Sequence, residues 1–122
     1  MATFSPLLIV AILLPACAAP PPAGDGPPPL ERIVRAARAD AAQRSGLPAA
    51  QLPLLAAEAV TWADGSLGCP VPGRLYTQAL VPGYRVTLRV GSQAWTYHAG
   101  ERGGPVLCPP ERAQEPAPDL RR

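Results

Sequence analysis

The 122-residue sequence contains no lysine and no asparagine, and it has a single histidine. All 11 basic residues are therefore arginines, a bias that fits a GC-rich coding sequence better than a chemical requirement. The arginines are scattered and the net charge is only +2, so the chain lacks the basic run that nucleic-acid binding would need. No apolar run approaches the roughly 20 residues of a transmembrane helix. We therefore expect neither a nucleic-acid partner nor a membrane-spanning segment.

Residues for metal or acid–base chemistry are also scarce. The cysteines and the histidine show no CxxC or HxxxH spacing, so we expect no metal site and no cofactor. Asp64, Ser66 and His98 are the residue types of a hydrolase triad, but Ser66 lacks the strand–Gly-x-Ser-x-Gly–helix setting that activates a nucleophile. Asp64 with Asp40 or Glu58 is a poor candidate for a pair of catalytic carboxylates. Too few oxygen-bearing side chains lie close together in the sequence to bind calcium. We predict no enzymatic activity, no catalytic residues and a solvent-exposed His98.

The first 16 residues have the pattern of an export signal. Leu7 to Leu14 form an apolar run whose length suits the about 7–15 residues of a signal-peptide core. The following Leu14-Pro15-Ala16-Cys17 resembles the lipobox of bacterial lipoproteins. In that family the signal is cut before the cysteine, whose sulfur takes a diacylglycerol. The resemblance implies a lipid anchor on Cys17 and a place in the cell envelope, on the periplasmic or extracellular face of a bacterial membrane.

Two other interpretations of this junction stay open. Ala16-Cys17-Ala18 has the small-x-small form that an ordinary signal peptidase accepts, which would give a secreted protein. Cys17 could also be no more than a member of an alanine-rich stretch. The n-region before Leu7 has no arginine, which departs from the usual positive charge of export signals.

The two remaining cysteines, Cys69 and Cys108, predict a disulfide if the chain is exported. Free thiols are the alternative. The bridge would close a loop of about 40 residues and stabilise the fold by roughly 4 kcal/mol in the chain-entropy model. Such a brace suits the foldable part, Leu30 to Pro109, because a domain of about 80 residues has a small core.

We expect the chain to have four parts. Residues 1–16 would be the signal peptide, and residues 17–29 the cysteine that the lipobox resemblance marks for lipidation, followed by a stalk rich in proline and alanine. Residues 30–109 form one domain. Residues 110–122 alternate proline with charge, and we expect them to be a disordered tail.

The domain begins with one amphipathic helix, predicted over Leu30 to Ser45 and ended by Gly46. Its apolar stripe comprises Leu30, Ile33, Val34, Ala37 and Ala41. A strand is then predicted over Leu52 to Trp62, in which Leu54, Ala56, Val60 and Trp62 share one parity.

The clearest pattern is a β-hairpin over Tyr84 to Ala99, with a type II′ turn at Gly91-Ser92. Its register places Leu88 opposite Trp95 and Val86 opposite Tyr97, and it leaves Arg85 across from His98 on a polar face. We expect Pro105 to Cys108 to form a short last strand. We predict an α+β fold in which the helix packs on a three- or four-stranded antiparallel sheet whose other face is partly open to solvent.

A long loop, braced by Cys69, separates the first strand from the hairpin. A segment this long is more often functional than accidental. The segments Trp62, Asp64 to Pro70, Tyr76 to Gln78 and Pro82 to Arg85 resemble the signature of a group of uncharacterised bacterial envelope proteins, over about residues 38–108. The resemblance implies an exported domain, often in lipoproteins, and it supplies no catalytic residues.

The same loop carries the candidate binding residues. Tyr76 and Trp62, next to Asp64, Ser66 and Gln78, could present flat rings beside polar groups to a peptide or a cell-wall glycan, although Trp62 could instead belong to the core. We expect a small, monomeric, non-enzymatic envelope lipoprotein that binds an envelope protein or a glycan. A weaker similarity to small serine-protease inhibitors of the potato-inhibitor type gives the alternative, a protease or hydrolase inhibitor that presents residues 63–75.

Overall fold

The structure is a computed structural model that describes residues 2–3, 9–16 and 28–118. These residues contain one α-helix, a 3₁₀ turn and four strands that form a single antiparallel sheet in the order β1-β2-β3-β4. The elements are α1 (Pro29–Ser45), the 3₁₀ turn (Ala49–Gln51), β1 (Leu54–Trp62), β2 (Val81–Val90), β3 (Gln93–Gly100) and β4 (Val106–Cys108). The predicted α+β fold, one helix packed on a small antiparallel sheet, is confirmed.

Helix α1 begins and ends where its sequence signals lie. Pro29 occupies the first turn, where a missing N–H costs no hydrogen bond. Gly46 ends the helix in the left-handed conformation, with φ of 74°, and its N–H donates to the carbonyl of Ala42. The residues that α1 buries are Ile33, Ala37 and Ala41. Two of these three are alanines, which lets the helix lie close to the sheet.

The main core lies between α1 and one face of the sheet, the helix face. Its buried members are Ile33, Ala37, Ala41, Leu52, Val86, Leu88, Val90, Tyr97 and Ala99. Tyr97 reaches across this core, and its hydroxyl donates a 2.8 Å hydrogen bond to Asp40 Oδ2 on α1. Burial and the nearby Asp40 carboxylate both raise the pKa of Tyr97. The phenol therefore stays protonated and ties β3 to the helix.

The β2–β3 hairpin has the predicted register. Leu88 pairs with Trp95, and Val86 pairs with Tyr97, on the helix face. Gly91 has a φ of 61° and Ser92 does not have a positive φ, as a type II′ turn requires. The hairpin prediction is confirmed, because the alternation of side chains and the turn chemistry both lie within one short segment.

Strand β1 differs from its predicted pattern at its start. The register shifts between Leu54 and Ala56, so that Leu55 is an extra residue in the strand. Leu54 therefore pairs with Leu88 on the helix face, while Ala56 and Trp62 lie on the opposite face of the sheet, the distal face. The prediction that Leu54 and Trp62 share a face is wrong, because a bulge reverses side-chain parity.

Residues 109–118, the C-terminal segment, cover part of the distal face. The Gln114 N–H donates to the carbonyl of Gly68, and the Ala117 N–H donates to the carbonyl of Thr61, both at 2.8 Å. This differs from the disordered tail expected from composition over residues 110–122. The acceptors belong to residues some 50 positions earlier in the chain, so proline content alone does not reveal them. Residues 119–122 lie outside the described residues.

The described N-terminal residues form no helix or strand. Within residues 9–14, the described part of the apolar run, the large side chains are exposed, from 75% at Val10 to 91% at Leu13. Cys17 and most of the proline-rich stretch lie outside the described residues. The predictions of a lipidated cysteine and a stalk concern these residues, and they remain predictions. Across the part of the chain that the structure describes, no helix has the length and apolar character needed to cross a membrane.

Candidate functional site

The disulfide predicted from the cysteine count is present. Cys69 and Cys108 are bonded, with their Cα atoms 5.8 Å apart and a sequence separation of 39. The bond joins the long loop to β4 on the distal face, because Cys108 pairs with Thr96 on that side of β3. The loop is therefore fixed to the sheet at the point where it leaves the Asp64–Gly68 turn.

Trp62 belongs to a second, smaller core on the distal face. Its side chain is fully buried, and its Nε1–H donates a 2.9 Å hydrogen bond to the carbonyl of Ala99. The indole stacks on the imidazole of His98, with ring centroids 4.4 Å apart and planes 23° from parallel. Of the two interpretations of Trp62, core packing is the correct one, and this ring does not reach a ligand.

His98 lies in the same core and is only 1% exposed, so the prediction of a solvent-exposed histidine is wrong. Its position opposite Arg85 is as predicted, but the loop and the C-terminal segment cover this face. His98 Nδ1 is 2.7 Å from the carbonyl oxygen of Leu67. A carbonyl only accepts, so Nδ1 carries the proton in the neutral ring, and Nε2 is an acceptor with no partner among the described residues.

Several groups act on the His98 pKa. Burial lowers it most, and the positive charge of Arg85 lowers it further. The hydrogen bond to Leu67 and the negative charge of Glu115 raise it, but the net shift is downward. His98 is therefore neutral at neutral pH.

The turn that covers Trp62 depends on Gly68. This residue has a φ of +67°, and a Cβ placed on it would lie 2.7 Å from Trp62 Cε3 and 2.9 Å from the carbonyl oxygen of Gln114. Only glycine combines this backbone conformation with so close a contact. Gly68 is thus the point at which loop, tryptophan and C-terminal segment meet.

Asp64 and Ser66 shape the same turn. The backbone N–H and the hydroxyl of Ser66 both donate to Asp64 Oδ1. These two hydrogen bonds, the side-chain one first, lower the pKa of the Asp64 carboxyl. Ser66 is only 8% exposed. Since its hydroxyl is directed to Asp64 and His98 Nδ1 to Leu67, the three residue types of a triad do not form a proton relay. Among the described residues no three metal-ligating side chains cluster.

The exposed part of the long loop is residues 70–80, which we call the protruding loop. Leu75 is 99% exposed and Leu80 is 63% exposed. The backbone around Leu75 is nevertheless fixed. The Val71 N–H donates to the Tyr76 hydroxyl at 3.0 Å, and the Arg74 N–H donates to the carbonyl of Val71 at 3.1 Å.

The base of the protruding loop is also held. The Gly65 N–H donates to the carbonyl of Thr77 at 2.9 Å, which connects the loop to the Asp64–Gly68 turn. Gln78 is exposed, and its side-chain amide donates to the carbonyl of Tyr76. The loop therefore presents apolar side chains on an ordered backbone.

The five residues of the predicted binding surface are thus separated by the fold. Trp62 and Ser66 are buried, Asp64 and Tyr76 are half-buried, and Gln78 is exposed. The residue range predicted for an inhibitory loop, 63–75, is divided in the same way, because its first half packs on the distal face. The residue that the sequence analysis did not single out is Leu75, whose exposure is the largest among the large hydrophobic side chains described.

A groove of about 1260 Å³ runs over the distal face, and we call it the distal groove. Arg85 lines it, with Nη2 2.8 Å from Glu58 Oε1 and Nη1 2.9 Å from Glu115 Oε2. Burial lowers the pKa of Arg85, but the hydrogen bonds and charges of the two glutamates outweigh it and raise that pKa overall. The predicted hairpin register places Arg85 beside His98, as observed, whereas the ion pair with Glu115 could not be predicted from a proline-rich tail.

Comparisons with known proteins give a family and no activity. Neither a search of curated proteins nor a search of solved structures produced a match. One family profile, described as a domain of unknown function, matches residues 34–108, from the second turn of α1 to the end of β4. This span exceeds half of the 122 residues and includes both cysteines of the disulfide. The chain therefore belongs to the DUF8738 family of domains of unknown function.

Proposed function

We propose that this protein is an exported, lipid-anchored domain of the bacterial envelope that binds a protein partner through its protruding loop and does not itself catalyse a reaction. One observation carries the proposal. Leu75 is 99% exposed on a loop whose backbone is fixed by hydrogen bonds and by the neighbouring disulfide. A large apolar side chain held in this way is suited to insertion into a pocket of another molecule.

The energetics favour this use of the loop. Burying a leucine that is otherwise exposed is worth about 1.5–3 kcal/mol. A flexible loop would lose much of that gain on ordering, whereas a loop already held by Tyr76 and Cys69 loses little. The neighbouring Arg74 and Gln78 are exposed and can supply the polar rim of a contact.

The proposed location rests on the N-terminal sequence. The large apolar side chains of residues 9–14 are exposed, which is consistent with a segment that serves export and is not part of the domain. The lipobox-like Leu14 to Cys17 supports a lipid anchor at the start of the mature chain. The proline-rich residues 18–29 would then act as a stiff spacer between membrane and domain.

Inhibition of a protease or another hydrolase is a second candidate, favoured by the same residue. An inhibitory loop needs an exposed side chain to fill the specificity pocket and a backbone that resists rearrangement. Leu75 meets the first requirement, and the Val71–Tyr76 hydrogen bond meets the second. An apolar side chain at this position would suit a hydrolase with an apolar pocket.

The test compares the full chain with two variants. Leu75→Asp places a charge at the tip of the loop, and Val106→Asp makes the same change at a 57% exposed residue of β4 outside it. Each chain is cross-linked in native envelope, and captured proteins are identified by mass spectrometry. We expect one envelope protein to be captured by the wild type and by Val106→Asp and to be lost with Leu75→Asp. Equal capture by all three chains would show that the loop is not the contact.

Two further measurements separate the candidates and test the anchor. Incubation with elastase and chymotrypsin, which have apolar specificity pockets, would give a stable complex that depends on Leu75 if the loop is inhibitory, and simple cleavage or no reaction if it is not. Cys17→Ala should release the protein from the membrane fraction. An unmodified Cys17 in the membrane-bound wild type, seen by mass spectrometry, would contradict the proposed lipidation.

A further inference from the structure

The distal groove is distinct from the protruding loop and has a chemistry of its own. It is lined by polar side chains of β1, β2 and β3 and bordered by the C-terminal segment. We propose that this groove is a binding site for a neutral, hydroxyl-rich ligand of the oligosaccharide class. The inference does not depend on the function proposed for the loop.

The charges of the groove argue against an ionic ligand. Arg85 is already paired with two carboxylates, Glu58 and Glu115, so this group of three carries one net negative charge. Of the other two cations at the border, Arg44 is paired with Asp40, and Arg112 adds one positive charge. The groove as a whole is therefore balanced. A carboxylate ligand would have to displace a glutamate from Arg85, whereas a neutral ligand would not.

The hydrogen-bonding groups suit hydroxyls. The carboxylate oxygens of Glu58 accept, while the hydroxyls of Thr87 and Thr96, 3.4 Å apart across the two strands, can donate or accept. His98 also lines the groove, and its buried Nε2 is an acceptor without a partner among the described residues. A buried polar atom in that state favours a donor that can reach it. A sugar hydroxyl is both donor and acceptor, so one ligand group can satisfy either kind of side chain.

The groove also provides apolar surface and enough room. The rings of Pro109 and Pro110 and the methyl groups of Ala56 and Ala94 lie among the polar residues. This mixture matches a sugar ring, which has C–H groups on its faces and hydroxyls on its edge. The volume of about 1260 Å³ is above the roughly 300–1,000 Å³ of a typical small-molecule pocket, which favours several linked rings over a single one.

The test uses the full chain in a detergent without a sugar headgroup and three trisaccharides of different charge. They are tri-N-acetylchitotriose, which is neutral, fully deacetylated chitotriose, which is cationic, and trigalacturonate, which is anionic. Binding is measured by calorimetry, and tryptophan fluorescence is a second readout, because Trp95 packs against the main core on the helix face and also contributes to the lining of the groove. We expect saturable binding of the neutral trisaccharide at millimolar concentration or below and weaker or no binding of the other two.

Two groove variants and one control locate the site. Thr96→Val removes a hydroxyl with little change in shape, and Glu58→Gln removes a charge while keeping an acceptor. Each should weaken binding about 3- to 10-fold, the range expected for one hydrogen bond. Leu75→Ala in the protruding loop should leave binding unchanged. The proposal is overturned if the neutral trisaccharide fails to bind at 10 mM, if the anionic one binds more tightly, or if neither groove variant alters the affinity.

Discussion

Replacing Gly68 with alanine tests whether the distal core depends on close packing at one backbone position. The added Cβ would lie 2.7 Å from Trp62 Cε3 and 2.9 Å from the Gln114 carbonyl oxygen, well inside normal contact. The φ of +67° adds a conformational cost of about 1–2 kcal/mol for a residue with a Cβ. Overpacking a filled site costs a further 1–3 kcal/mol, roughly, because neither the buried indole nor the backbone can move freely.

Gly73 provides the matched control. It has a similar φ of +83°, but nothing lies within 4 Å of the position that its Cβ would occupy. Gly73→Ala should therefore be destabilised only by the cost of placing a Cβ at a positive φ. Gly68→Ala also carries the overpacking cost, so its free energy of unfolding should be lower than that of Gly73→Ala by about 2 kcal/mol. For a domain of this size that difference corresponds to roughly 8–16 °C in melting temperature.

The assay is thermal unfolding of the oxidised chains, followed by circular dichroism and by tryptophan fluorescence. The fluorescence of Gly68→Ala should also differ from wild type in the folded state, because Trp62 must shift away from His98. Equal melting temperatures for the two alanine variants would refute the packing argument, since they would leave backbone conformation as the whole effect.

Three other predictions follow from the same structure. Reducing the Cys69–Cys108 bond should lower the free energy of unfolding by about 4 kcal/mol, seen as a lower melting temperature in reductant, and equal melting would contradict this. Folding lowers the pKa of His98 below the value of 6.5 that it has in the unfolded chain. The neutral ring therefore contributes fully to the free energy of unfolding above pH 6.5, and this contribution is lost as the pH falls through the pKa of the folded state. Urea unfolding should therefore show stability decreasing below pH 6.5 by up to about 1.4 kcal/mol per pH unit, and a His98→Phe variant with the same slope would exclude this residue as the cause. Tyr97→Phe removes the hydroxyl that donates to Asp40 and should cost about 1 kcal/mol in the same assay, a loss that Tyr84→Phe, without such a bond, should not show.

The parts of the fold that sequence reasoning predicted are those whose signals are local. Gly46 ends α1 and Gly91 turns the hairpin, and each acts through its own backbone conformation. The alternation of Val86 and Leu88 sets the hairpin register without reference to distant residues. The disulfide followed from there being two cysteines beyond the one assigned to the lipid anchor.

The distal face was not predictable in the same way. His98 and Arg85 alternate with core residues, and that pattern is typical of a solvent-exposed face. The cover over His98 comes from Leu67 and from residues 109–118, which are distant from it in sequence. Trp62 is buried by the same cover. A proline-rich stretch with charges is usually a solvated tail, and this one is held on the sheet by the backbone acceptors at Thr61 and Gly68 and by the ion pair between Glu115 and Arg85.

The candidate sites show the same limit. The protruding loop could be placed, because Pro72 and Gly73 prevent regular structure. The exposure of Leu75 could not, since a leucine between two strands is more often a core residue than a surface one. The distal groove depends on Glu115 meeting Arg85, a pair separated by 30 positions.

The position of the disulfide determines what a cut in the protruding loop would do to the molecule. Any peptide bond broken between residues 70 and 80 leaves Cys69 on one fragment and Cys108 on the other, and the bond still joins the two fragments. Strand β1 also remains paired with β2 along eight positions across the break. A nicked chain would therefore migrate as one species on a non-reducing gel and as two after reduction.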